Sequence, residues 1–162
     1  MFSSDLIDLA ASILIKARKA GLKIATAESC TGGLVSACLT EIPGSSDVVE
    51  RGFIVYSNEA KTDLLGVPAE MIEAHGAVSS DVARALVEGA IATSRAQLAV
   101  SITGIAGPGG GTPEKPVGRV YFGSMRAGSK ALVERHDFGD IGRETVRLAS
   151  VKVALRLLSK LL

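Results

Sequence analysis

The run Thr26-Ala27-Glu28-Ser29-Cys30-Thr31-Gly32-Gly33 constrains this chain most, because it passes from a short apolar strand into an amphipathic helix through one tight turn. Upstream, Leu22 to Ala25 alternates in the manner of a strand; downstream, Leu34, Val35, Cys38 and Leu39 recur at helical spacing. A strand feeding into a helix is the repeating step of an α/β layer, and it puts Ser29 at the strand's C-terminal edge. The helix start offers unpaired backbone N–H groups and a partial positive charge, suited to a phosphate or an oxyanion. Gly32 and Gly33 let a ligand approach the backbone closely. The plainer alternative is an ordinary turn with Thr31 as the helix cap.

The rest of the chain fits one α/β domain over residues 1–162. Leu6, Leu9, Ala10, Ile13, Leu14 and Ala17 form one helical stripe between about Ser4 and Ala20, closed by Gly21. Pro43 to Asp47 breaks the helix that follows Ser29, and Gly52 to Tyr56 reads as a second strand. A short helix is predicted over 60–65, and a longer one is capped by Ser79-Ser80-Asp81, with Gly89 marking a close approach. Leu98 to Ile102 reads as a buried strand that opens into a long glycine-rich loop from Thr103 to Pro113. Gly118 to Met125 and Ala131 to Phe138 form a hairpin, and a last helix carries Val146, Ala149, Val153, Leu157 and Leu161 on one broad stripe. This order implies a three-layer α/β/α sandwich around a mixed, mostly parallel sheet of about five strands. Sites in such sheets gather at the carboxyl ends of strands, here the loops holding Ser29, Tyr56 to Lys61, and Thr103.

Composition narrows the function. With 18 basic and 17 acidic residues, no basic block and 4% aromatics, the chain has no electrostatic footprint for nucleic acid. Asp5 and Asp8 stand where a signal peptide would be basic, and no apolar run is long enough to span a membrane, so a soluble protein is expected. Cys30 and Cys38 suit neither a disulfide framework nor a zinc pattern, which fits a reducing cytoplasm. No His, Asp or Glu spacing resembles a metal-ligand motif, and no cofactor fingerprint opens a helix, so neither metal nor cofactor is expected.

A serine nucleophile needs a base. His75 and His136 sit in a turn and a late hairpin, where structural or solvated roles are the rule. Lysine serves instead when burial lowers its pKa, and Lys61 follows the Tyr56 strand by one turn. Spacing alone does not separate that role from an ordinary solvated lysine.

The segments AESCTGG at 27–33, YSNEAK at 56–61, LLGVP at 64–68, HGAVS at 75–79 and TGIAGPGGGTPEKPVG at 103–118 add a more specific signal. Together they resemble the C-terminal domain of the CinA (competence-damage-inducible) family, the nicotinamide mononucleotide amidohydrolases, in a stand-alone form. The resemblance implies metal-independent hydrolysis of the carboxamide of nicotinamide mononucleotide to nicotinate mononucleotide and ammonia, in pyridine-nucleotide salvage. It also implies Ser29 as nucleophile, Lys61 as base and Tyr56 as a hydrogen-bonding partner that relays or orients the proton. Cys30, Thr31, Gly32 and Gly33 of the turn, and Asn58, which by spacing could face the same crevice as Ser29 with Tyr56 and Lys61, are candidate substrate-binding positions, and the resemblance puts Thr103 and Gly104 on the substrate loop. Arg143 matches an arginine suited to the phosphate or the carboxamide end. Amides near Cys30 to Gly33, or from the Thr103 loop, would receive the oxyanion. Cys30 stands as a rival nucleophile, and a homodimer is the implied assembly. A non-catalytic nucleotide-binding or regulatory module is the alternative function; nucleotide binding without ammonia release would favour it.

Overall fold

The computed structural model describes residues 2–162. Helix α1 (Ser4–Ala20) ends where Gly21 takes the left-handed conformation, φ 66°, and lets its N–H reach back to the carbonyls of Ala17 and Arg18. It leads to β1 (Ile24–Glu28), α2 (Leu34–Thr40), a short 3-10 turn and β2 (Val49–Ile54). Three helices follow, α3 (Asn58–Leu65), α4 (Ala69–His75) and α5 (Ser80–Ala92), before β3 (Leu98–Gly104). The hairpin β4 (Arg119–Arg126) and β5 (Leu132–Asp137) precedes α6 (Arg143–Lys160).

The sheet order is β2-β1-β3-β4-β5, with β1 parallel to β2 and β3, and both β3/β4 and β4/β5 antiparallel. Four of the five strands therefore run the same way, and only β4 is reversed. Side chains alternate between two cores. Ile24, Leu98, Val100 and Ile102 meet α1, α2 and α6, while Ala25, Ala27 and Ala99 meet α3, α4 and α5. The expected three-layer α/β/α sandwich is the observed one. Gly89 on α5 marks the close approach: a Cβ there would stand 2.2 Å from the carbonyl oxygen of Leu65.

Three local expectations differ from the structure. The first strand is Ile24–Glu28, buried throughout, because β1 lies between two strands and both of its faces are covered. The second strand is Val49–Ile54, leaving Val55 to Ser57 as the crossing into α3. The last helix buries far more than one stripe, Ser150, Val151, Ala154, Leu155 and Leu158 included, since it packs against α1, α2 and the sheet together.

Candidate active site

Ser29 leaves β1 directly. Its N–H donates to the carbonyl of Ile102 on β3, and the carbonyl of Glu28 accepts from Val55 just beyond β2, so three parallel strands converge on it at their C-terminal ends. The residue is nearly buried, 9% exposed. Glu28 does what the sequence reading left to others. Its fully buried carboxylate accepts from the amides of Gly33, Val35 and Ser36 and from the hydroxyl of Thr26. The amides of Gly33, Val35 and Ser36 at the start of α2 are therefore taken by an internal carboxylate, which corrects the expectation that those groups would hold a phosphate or an oxyanion. Nor is Thr31 its cap: Gly33 occupies that position without a side-chain bond, and the buried Thr31 hydroxyl has no partner among the described residues.

The amides of the turn divide accordingly. Gly32 donates to the carbonyl of Ser29 and Gly33 to Glu28, so neither is free. The amides of Cys30 and Thr31 have no hydrogen-bond acceptor among the described residues.

Lys61 lies in the first turn of α3, where Ser57 caps the helix by accepting from Ala60. Its side chain is 1% exposed, and Nζ donates to the carbonyls of Val55 at 3.0 Å and of Tyr56 and Ser57, each at 3.2 Å. No carboxylate pairs with it within salt-bridge distance among the described residues, and burial lowers its pKa from the ordinary 10.5, while charge on Cys30 or Glu59 would oppose that. The Ser29 hydroxyl makes no hydrogen bond to it in this conformation.

Tyr56 is exposed, and its hydroxyl accepts from Arg143 Nη2 at 3.0 Å; the other arm of Arg143 donates to the carbonyl of Gly107 at 2.9 Å. The first residue of α6 thus joins the β2–α3 crossing to the glycine-rich loop. Thr103 is buried and donates to the carbonyl of Ala77, while a Cβ on Gly104 would stand 2.6 Å from Val120 and 2.9 Å from the carbonyl oxygen of Arg119. Lys115 ties the far side of the loop to the carbonyl of His75. Asn58, by contrast, lines a cleft of about 510 Å³ between α3 and α4 together with Glu59, Asp63 and Glu73. Three carboxylates make that cleft a poor host for a phosphate.

Cys30 lies beside Ser29, but burial pushes its thiol up to about 12, so it is protonated near neutrality. His75 ends α4 and is half-exposed, and His136, on the far edge strand, meets Phe122 edge-on and stacks on Phe138. Among the described residues no group of three His, Cys, Asp or Glu side chains could hold a metal ion. Arg147, which no motif singled out, donates to the carbonyls of Cys30 at 3.1 Å and Thr31 at 2.9 Å. Only its position four residues after Arg143 on a helix hinted at a shared direction.

Fold and site together define an α/β/α domain that carries a serine turn and a buried lysine at the C-terminal end of a mixed sheet. The family model of the CinA C-terminal domain matches residues 6–162, and the chain belongs to that family. A CinA-like protein of Mycolicibacterium paratuberculosis is 52% identical over 159 residues, covering 96% of this chain and 35% of the relative. One of Mycolicibacterium gilvum is 51% identical over 164 residues, covering 100% and 38%. The chain spans about a third of the length of these curated relatives. The crystal structure of the competence/damage inducible protein CihA from Agrobacterium tumefaciens superposes with a TM-score of 0.98 at 48% identity, covering 99% of this chain and 98% of that one. The competence damage-inducible protein A of Klebsiella pneumoniae gives 0.90 at 33%, covering 96% and 95%.

Proposed function

We propose that this chain is a metal-independent serine amidohydrolase that converts nicotinamide mononucleotide to nicotinate mononucleotide and ammonia. The observation that carries the reading is Lys61, a buried lysine with no carboxylate partner among the described residues, on the crossing that runs beside Ser29. An ammonium without a counter-ion in such a place loses its proton more readily than one in water, which is what a general base needs.

Ser29 Oγ attacks the carboxamide carbon as its proton passes to the Lys61 amine. The new O–C bond forms, and the carbonyl pair moves onto oxygen. Collapse restores the carbonyl, breaks the C–N bond and returns the proton from Lys61 to the nitrogen, which leaves as ammonia. Water then attacks the ester by the same route and frees Ser29. A neutral amine donates to two of its three carbonyl neighbours and offers its lone pair to the serine, so catalysis calls for a small rotation of Nζ away from one of them. The bond to Arg143 supports an orienting role for Tyr56 more than a proton relay. For the phosphate, Arg143 and the glycine-rich loop are the better-supported hosts, since Glu28 fills the start of α2.

The test is ammonia release from nicotinamide mononucleotide by the purified chain. Stoichiometric ammonia and nicotinate mononucleotide are expected. Binding without turnover would favour the alternative of a nucleotide-binding or regulatory module. The same reading takes residues 1–162 as one functional unit acting as a homodimer in the cytoplasm. Light scattering during size exclusion checks the dimer.

A further inference from the structure

The turn that carries Ser29 is held at successive positions by two residues to which the sequence motifs gave no role. Glu28, immediately before it, accepts from the amides of Gly33, Val35 and Ser36. Arg147, reaching across from α6, donates to the carbonyls of Cys30 and Thr31. Gly32 makes room for that reach: it sits at φ 59°, and a Cβ there would come within 3.3 Å of Arg147 Nη2. Within the turn, the carbonyl of Ser29 accepts from Gly32 at 3.0 Å. That carbonyl shares its peptide plane with the amide of Cys30, so the bond both orients the Cys30 N–H and strengthens it as a donor. The amides of Gly32 and Gly33 and the carbonyls of Ser29, Cys30 and Thr31 are thus all engaged, while the amides of Cys30 and Thr31 have no acceptor among the described residues, and of these two only the Cys30 N–H belongs to the peptide that Gly32 holds.

We infer that Glu28 and Arg147 are positioning residues that clamp the Ser29–Gly33 turn, so that the amide of Cys30 stays free to receive the oxyanion formed at Ser29. The inference rests on the amidohydrolase reading. A preorganised donor beside the nucleophile acts on the transition state rather than on the ground state, so loosening the clamp lowers kcat and leaves KM nearly unchanged. Charge alone does not suffice. Arg147 spans two successive carbonyls with two arms of one planar fork, which a lysine cannot copy, and Glu28 supplies acceptors where a glutamine would set an amide nitrogen against a backbone N–H.

The experiment measures kcat and KM for nicotinamide mononucleotide in the full chain and in Arg147→Ala, Arg147→Lys and Glu28→Gln, with thermal melting of each. In parallel, the rate at which a fluorophosphonate labels Ser29 is followed, because phosphonylation also builds negative charge on oxygen. For Arg147→Ala, kcat is expected to fall about 100-fold with KM within about threefold, and labelling to slow to a similar degree. Millimolar guanidinium, far below denaturing levels, should restore at least about tenfold of the loss and leave the parent chain unaffected, as a small cation refilling a vacated site does. Arg147→Lys and Glu28→Gln, which keep most of the volume, should be folded and intermediate in kcat. Unchanged kcat and labelling in these folded variants would overturn the clamp, as would a raised KM with kcat retained. So would an Arg147→Ala chain that guanidinium cannot rescue. A parent chain labelled at Ser29 but unable to release ammonia would remove the nucleotide reading alone, and the labelling rates would still decide the clamp.

Discussion

At the scale of single residues, Lys61 shows how burial and hydrogen bonding pull against each other. Three carbonyls favour the ammonium, and removal from water disfavours it; the second effect prevails and the pKa falls below 10.5. The neutral form does the chemistry, so activity should rise with pH along a limb centred below that value. A pH–kcat profile checks this. Lys61→Arg keeps the charge but cannot give up its proton, so it should lose about 1,000-fold or more in kcat, much like Lys61→Ala, and neither residual rate should show the limb. A small primary amine should partly rescue the alanine variant. Stability moves the same way: between the folded and unfolded pKa values the unfolded chain holds more protons, so folding gains as pH rises, and Lys61→Met should flatten that gain in pH-dependent denaturation. Beside it, the Cys30 thiol near 12 predicts that Cys30→Ala retains turnover within about tenfold, whereas Ser29→Ala retains fold and nucleotide binding but no measurable hydrolysis.

At the scale of elements, the site is made by three crossings that leave the same end of the sheet, and α6 braces them from outside. Arg143 joins the Tyr56 crossing to the glycine-rich loop, and Arg147 holds the Ser29 turn. Cutting the first bond with Arg143→Met should raise KM for the mononucleotide more than it lowers kcat, because the arginine is a phosphate host in this reading. The nicotinamide riboside should be affected far less, a comparison that steady-state kinetics makes directly. Packing sets a second limit. A Cβ on Gly89 meets the Leu65 carbonyl oxygen at 2.2 Å, so Gly89→Ala must push α5 away from the end of α3, at a cost of about 1–3 kcal/mol measurable by urea denaturation. That shift also displaces the helix that carries Lys61, and activity should fall with stability.

At the scale of the whole molecule, much of the architecture was legible because its signals are local. The α1 stripe, the Gly21 stop, the Ser79 cap and the hairpin each follow from residues a few positions apart, and the structure bears them out. What was not legible depends on residues distant in sequence. Nothing near Glu28 says that its carboxylate turns forward to fill α2, and nothing near Arg147 says that it meets a turn 116 residues away. The strand boundaries slipped for the same reason, since the burial of β1 is decided by the neighbours it pairs with and not by its own alternation. Ser29 came into view through its strand-to-helix turn and Lys61 through its place after the Tyr56 strand, with the long motifs suggesting their roles, whereas the crossing that brings their segments together is a property of the sheet order. The most direct measurement of the central claim is intact mass after acid quench of the chain mixed with excess nicotinamide mononucleotide, followed by peptide mapping. An acyl-nucleotide ester on Ser29, formed with release of one ammonia per site and absent in Ser29→Ala, is the predicted result; full ammonia release with no adduct on Ser29, or with the adduct on Cys30, would contradict it.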